Sequence, residues 1–302
     1  MTSSAHDDGT GAARARRGFL AAAAFCIAAI SPHGESRAET KYSEVFYPSG
    51  NLRIQAYLYK PEGDGPFPVV IYNHGSRDGR ERASVPFEYI GETFTRMGYA
   101  VLVPERRGYG KSDGSMWRDE VGSNPAGLIP RLQAETDDVL AAIDYLRNVP
   151  FADTGRMGIV GWSFGGIVTM LAVSRSSAFL VAVDQAGGAL TWDSNALVRA
   201  ALTAAAEKAQ TPTLLMVAQN DRTTSSVTTL AEVFRKRDVP YRLVIYEPFT
   251  PAGGTGAPPG HAVFSAQGVS VWERDVAQFL GQYLAATASD RRPDAVPPKS
   301  PQ

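Results

Sequence analysis

One segment limits the folds open to this chain more than any other. Arg156-Met157-Gly158-Ile159-Val160 has the apolar character of a buried strand, Gly161-Trp162-Ser163-Phe164-Gly165 fits G-x-S-x-G, and Gly166–Leu171 continues as a helix. A strand that passes through a tight turn straight into a helix, with serine at the apex, belongs in a sheet whose strand ends open into a crevice. Side chains two residues to either side of the serine would collide with neighbouring backbone, which gives both glycines a steric reason. The helix that follows directs its first amides at negative charge developing beside the serine. The same letters also fit a glycine-rich packing turn without chemistry.

The flanking sequence repeats the alternation of strand and helix expected of α/β architecture. Val45–Phe46 and Ile54–Tyr59 read as early strands around a Ser49-Gly50-Asn51 turn. Val69–Tyr72, Tyr99–Val103 (ended by Pro104), Phe179–Val183, Thr213–Ala218 and Arg242–Tyr246 read as further strands. The unbroken apolar runs Val69–Tyr72 and Tyr99–Val103 suit strands covered on both faces. Phe87–Met97, Ala134–Arg147, Val227–Arg237 and Val271–Leu284 have helical spacing. In the second of these, acidic residues near the start and Arg147 at the end match the helix dipole. Two long irregular stretches remain, Gly114–Pro130 and Pro248–Gly260. Loops of that length inside a domain are usually functional or mobile.

A serine hydroxyl needs a base at neutral pH. The histidines are His6, His33, His74 and His261. Only His261 follows Ser163, at the end of the second irregular stretch, and it is the candidate base. His74 directly follows a strand and is read as a buttress of its loop. The base needs a carboxylate to hold its tautomer, and Asp221 and Asp184 each follow a strand. Chain order does not separate them. The oxyanion hole needs two backbone N–H groups. Phe164 supplies one as the residue after the nucleophile, and Ser76, in Asn73-His74-Gly75-Ser76, supplies the other. Trp162 stands beside the serine and is a candidate substrate contact.

Together His74-Gly75, Arg107-Gly108-Tyr109-Gly110-Lys111-Ser112, Gly161–Gly165 and the Asp221/His261 pair carry a resemblance. The chain resembles the α/β-hydrolases, and within them is similar to dienelactone hydrolase and the prolyl-oligopeptidase-like serine hydrolases. The resemblance implies a mostly parallel sheet of about eight strands flanked by helices on both faces, no cofactor, and Asp221 as the acid. It implies cleavage of carboxylic esters through an acyl-enzyme, with a small-peptide or amide hydrolase as the alternative. A catalytically inactive hydrolase fold used for binding is the alternative of another class. Ser163 stands where dienelactone hydrolases carry cysteine, and the propeller of the prolyl oligopeptidases is lacking.

The resemblance implies a small-molecule ester or short peptide as partner, and composition excludes other classes. A net charge of −1 with no basic cluster argues against nucleic acid. Cys26 is the sole cysteine, so neither an internal disulfide nor a cysteine-based zinc site is open, and no metal site is expected. Gly110-Lys111-Ser112 ends like a phosphate-binding loop, but Glu105 stands where its first glycine belongs. Arg107 there is read as a structural ion-pair partner.

The first 38 residues read as an export signal. Arg14, Arg16 and Arg17 precede an apolar run from Gly18 to Ile30, and Ser36-Arg37-Ala38 offers a cleavage site. Arg16-Arg17-Gly18-Phe19-Leu20 resembles a twin-arginine signal, which places the protein in the periplasm or outside the cell. The apolar run is too short to span a bilayer. Residues 39–288 are expected to form one catalytic domain, and 289–302 a disordered Pro-rich tail. Oligomeric state has no signature in the sequence.

Overall fold

The computed structural model describes residues 41–285 except 123 and 255. The expected export signal, Cys26 and the expected C-terminal tail lie outside the described residues.

Eight strands form one sheet: β1 (Ser43–Ser49), β2 (Leu52–Tyr59), β3 (Phe67–Asn73), β4 (Ala100–Glu105), β5 (Ala152–Trp162), β6 (Phe179–Gln185), β7 (Thr213–Ala218) and β8 (Tyr241–Tyr246). Their order is β1-β2-β4-β3-β5-β6-β7-β8. β2 runs antiparallel to both β1 and β4, and every other pairing is parallel. This is the α/β-hydrolase architecture that the sequence resemblance implies. The chain leaves β3 for β4 on one side and then crosses back to lay β5 on the other, so the strand order reverses at β3. Loops leaving adjacent strands at such a point diverge and leave a crevice between them.

The helices are α1 (Glu88–Arg96), α2 (Trp117–Glu120), α3 (Leu128–Leu146), α4 (Phe164–Val173), α5 (Ala196–Lys208), α6 (Ser225–Lys236) and α7 (Val269–Leu284). Two glycines of β5 show how the layers stack. Gly158 and Gly161 are three residues apart, so they face opposite sides of the sheet. A methyl group on Gly158 would stand 3.2 Å from Leu284 and 3.5 Å from Leu280 of α7, whereas one on Gly161 would meet Gly165 and Thr169 of α4 at 2.2 and 2.4 Å. Helices therefore cover both faces, and the central strands are buried as their apolar runs predict. α4 is buried at every residue after Phe164, which is why it is apolar all round.

The structure corrects several expectations. Pro104 lies inside β4, not after it. It is aligned with Ala56 of β2, while the pairing of β4 with β3 has already ended at Leu102, and proline is tolerated where a strand is paired on one side. α3 starts at Leu128, six residues before the expected Ala134, with Pro130 in its first turn where an amide hydrogen has no helical acceptor. The stretch expected to be irregular thus also holds α2 and a 3₁₀ turn at Pro125–Gly127. α5 was not signalled by periodicity, because its alanines mark no face; Asn195 caps it, accepting from the Leu197 and Val198 amides at 3.1 Å.

The acidic residues expected to complement the dipole of α3 do other work. Its first turn holds no acidic residue. Glu135 is fully buried and bridges two arginines, accepting from Arg106 Nε at 2.7 Å and Arg131 Nε at 2.8 Å. Asp138 accepts from Arg107 Nε at 2.9 Å and Nη2 at 2.8 Å, and from the Arg107 amide at 2.9 Å. Arg107 is thus the structural ion-pair partner read from the sequence. Removing one partner of a buried pair leaves an uncompensated charge. Glu135→Ala is expected to lower the unfolding free energy by about 3–5 kcal/mol in urea titration. A loss under about 1 kcal/mol would mean the bridge contributes no more than a surface pair.

Candidate active site

The turn after β5 places Ser163 in a conformation that L-residues rarely adopt, φ 59° and ψ −117°. The surrounding contacts hold it there. The Ser163 amide donates to the Gln185 carbonyl at 2.8 Å, and its carbonyl accepts from Gly166 and Ile167 of α4. A methyl group on Gly165 would stand 1.9 Å from the Asn73 carbonyl oxygen. Both motif glycines are therefore required by the close approach of α4 to β5 and to the end of β3.

His261 sits in a 3₁₀ segment, Pro259–Phe264, and is buried. Its Nδ1 lies 2.7 Å from Asp221 Oδ2. A carboxylate only accepts, so Nδ1 carries the hydrogen and the neutral ring presents Nε2 as a bare acceptor. That Nε2 is buried and has no hydrogen-bond partner among the described residues. The second oxygen of Asp221 accepts from the Arg222 amide at 2.7 Å, which fixes the carboxylate plane. Trp162 Nε1 donates to the His261 carbonyl at 3.1 Å, and its ring lies 5.7 Å from the imidazole.

Ser163, His261, Trp162, Gly75 and Ser76 line one cavity of about 510 Å³, together with Arg77, Arg80 and apolar groups from Val85, Phe87 and Leu190. The loop after β3 approaches the serine closely: a methyl group on Gly75 would stand 3.4 Å from Ser163 Cβ and 3.9 Å from Oγ. Phe164 opens α4, where amides have no intrahelical acceptor. Neither its N–H nor that of Ser76 is engaged by an acceptor among the described residues. The Phe164 side chain takes another direction. It meets Trp117 edge-on at 4.7 Å and lines a second cavity of about 480 Å³ with Leu128, Leu132 and Ile167. Trp192 is buried in the core.

Asp184, the rival carboxylate, is fully buried and aligned with Gly161 across the β5–β6 pairing. Its Oδ1 accepts from the Gly187 amide at 2.6 Å and does not meet His261. Burial pushes its carboxyl up to about 7, against the pull of that amide. His74 is also fully buried. Its Nδ1 donates to the Gly75 carbonyl at 2.6 Å, and burial with the charges of Arg106 and Arg77 holds the ring well below the usual imidazole range. It braces the loop, as read from the sequence, along with Arg106 Nη2, which donates to the His74 carbonyl at 2.9 Å.

Sequence reasoning missed two supports. Asn220 clasps the long loop before His261: its Nδ2 donates to the Phe249 carbonyl and its Oδ1 accepts from the Phe249 amide, both at 2.9 Å. Gly260 passes so near that a methyl group on it would stand 2.4 Å from Asn220 Oδ1. Arg77 and Glu105 form the other support beneath the loop after β3. Position directly before Asp221 was the sole signal for Asn220, and nothing in the sequence linked Arg77 to Glu105. Among the described residues no group of His, Cys, Asp and Glu is arranged to hold a metal ion, and no helix is long and apolar enough to cross a membrane.

Comparison with known proteins bears on the fold and the family. The sequence profile of the X-Pro dipeptidyl-peptidase (S15) family matches residues 49–239. A curated relative, the quorum-quenching protein AidA of Acinetobacter baumannii, is 28% identical over 142 residues, 47% of this chain and 42% of the relative. The chain thus spans less than half the length of that relative. Among solved structures, an acylaminoacyl peptidase of Pyrococcus horikoshii superposes with a TM-score of 0.63 at 18% identity, over 80% of this chain and 41% of that one. An esterase of Pyrococcus furiosus superposes with a TM-score of 0.59 at 17% identity, over 81% and 91%. At these identities the superpositions report the shared fold.

The raised carboxyl of Asp184 makes stability depend on pH. An unfolded aspartate titrates near 3.8 and this one near 7 in the folded chain, so between those values the folded state holds a proton that the unfolded state releases. The associated stability is complete below about pH 4 and is lost as pH rises through 7. Asp184→Asn keeps an acceptor for the Gly187 amide and removes the titration. The melting temperature of the variant minus that of the parent is expected to grow from pH 5 to pH 8, reflecting about 2.6 kcal/mol of the linkage. A difference that stays flat across that range would remove the case for a perturbed carboxyl.

Proposed function

The chain belongs to the X-Pro dipeptidyl-peptidase (S15) family, and on that premise we propose that it is a serine hydrolase that cleaves carboxylic esters through an acyl-enzyme, with Ser163, His261 and Asp221 as the triad. The observation that carries this reading is the buried Asp221–His261 pair, whose imidazole lines the same cavity as Ser163 on its positive-φ turn.

In this mechanism Ser163 Oγ attacks the ester carbonyl while His261 Nε2 takes its proton. Asp221 stabilises the imidazolium through Nδ1 without itself accepting the proton. The Phe164 and Ser76 amides hold the oxyanion; each such donor typically lowers the barrier by about 2.7–4 kcal/mol. Collapse expels the alcohol, which receives the proton from His261. Water, deprotonated by the same Nε2, then attacks the acyl-enzyme, and Ser163 regains its proton as the acid leaves. Trp162 bears on the site in two ways, as cavity wall and as donor to the His261 carbonyl.

Peptide or amide hydrolysis is the second reading, favoured by the family's description. A dipeptidyl peptidase must bind a free N-terminal ammonium, and a buried cation needs a carboxylate partner. The wall around Ser163 holds none among the described residues, which supports the ester reading.

Turnover of p-nitrophenyl acetate tests the triad. Ser163→Ala and His261→Ala are each expected to reduce kcat at least about a thousandfold, and Asp221→Asn by about 10²–10⁴-fold, with the fold retained. Equal turnover by the Ser163→Ala variant would remove Ser163 from the reaction. Comparing short acyl esters with aminoacyl-proline anilides separates the substrate classes, and faster anilide cleavage would favour the peptidase.

We also propose export by the N-terminal twin-arginine segment. Replacing Arg16 and Arg17 by lysine is expected to retain the protein in the bacterial cytoplasm, read by fractionation; unchanged export would point to an ordinary secretory signal.

A further inference from the structure

Among the described residues, the charge on the wall of the catalytic cavity is only partly balanced. Arg77 and Arg80 line the cavity, and no aspartate or glutamate among the described residues does. The two arginines differ in what they touch. Arg77 is neutralised by Glu105, donates to the Ala83 carbonyl at 2.8 Å, and lies over the rings of Phe87 and Tyr109. The Arg80 backbone is tied into the loop, donating to the Arg77 carbonyl at 2.8 Å and accepting from Ala83 at 3.0 Å. Its guanidinium has no ion-pair, hydrogen-bond or aromatic partner among the described residues. The neighbouring acids do not supply one. Asp78 is exposed and makes no ion pair, while Glu81 is buried with its Oε1 unpartnered; neither lines the cavity.

A guanidinium held by its backbone on the loop that carries the Ser76 amide, with no internal counter-charge, is matched chemically by a carboxylate. The planar fork donates to both carboxylate oxygens at once, and Arg gives that geometry where Lys gives a point charge. We propose, resting on the serine-hydrolase reading above, that the preferred substrate is an ester bearing a second, ionised carboxylate, and that Arg80 holds that carboxylate and sets specificity. The rest of the wall suits a short carbon chain between the two groups, since Val85, Phe87, Trp162 and Leu190 face it with apolar surface. Arg80 is exposed, so the contact orients and steers the substrate and weakens as salt rises.

The test compares p-nitrophenyl hemiesters of succinate, glutarate and adipate with p-nitrophenyl esters of the neutral monoacids of the same chain length. The parent enzyme is expected to favour at least one hemiester by about tenfold in kcat/KM, a typical effect of one charge-assisted hydrogen-bonded pair. Arg80→Gln is expected to abolish the preference, lowering kcat/KM on the hemiester about tenfold more than on the neutral ester. Arg80→Lys should restore part of the preference, and Arg80→Glu should reverse it. Equal turnover of hemiester and neutral ester by the parent, or an equal loss on both in Arg80→Gln, would overturn the proposal and leave the esterase reading intact. If no ester is turned over, the esterase reading fails, and calorimetric titration of parent and Arg80→Gln with glutarate decides the anion site. Binding by the parent alone supports it, and no binding by the parent, or equal binding by both, overturns it.

Discussion

The rest of the site depends on the close approach of three backbone segments at one point. The end of β3, the turn after β5 and the first turn of α4 meet with so little space that a methyl group on Gly165 would overlap the Asn73 carbonyl oxygen. This crowding lets Ser163 keep its left-handed conformation, because the alternatives would pull α4 away from the sheet. It also sets the loop after β3 beside the serine. The Ser76 amide, on that loop, and the Phe164 amide, at the start of α4, have no acceptor among the described residues.

That arrangement is held from behind by buried charge. Arg106 is fully buried, donates to Glu135 and grips the His74 carbonyl, while Arg77 and Glu105 pair beneath the same loop. Burial raises the Glu105 carboxyl, and the neighbouring arginines counter it. Such pairs add little net stability compared with apolar packing, but they fix direction. His261 is positioned by a different device. Its loop is clasped at Phe249 by Asn220, next in sequence to Asp221, so one short segment after β7 sets both the start of the loop and the carboxylate that its histidine meets.

Particular residues mark where sequence reasoning reached. The buried runs Val69–Tyr72 and Thr213–Ala218 identified their strands because a strand covered on both faces has no polar register to hide it. α5 escaped notice because alanine packs without marking a face, and the start of α3 because Pro130 reads as a break although a first turn accepts it. Ser163 and His261 were singled out by one motif and by the scarcity of histidine, and both line one cavity. Asp184 and Asp221 were not separable in the sequence, where each reads as following an apolar run; in the structure Asp184 lies within β6 and Asp221 beyond the end of β7.

The sequence by itself determined the alternation of elements, the strained serine turn and the short set of groups able to do chemistry there, because each of these is a local matter of periodicity, steric space and side-chain type. Tertiary structure decided which carboxylate meets His261, which arginines are neutralised and which one is left to the cavity. Those outcomes are distances between segments up to 40 residues apart in the Asp221–His261 case, and no local propensity specifies them. They follow from the strand order, which reverses at β3 and brings the separate loops to one crevice.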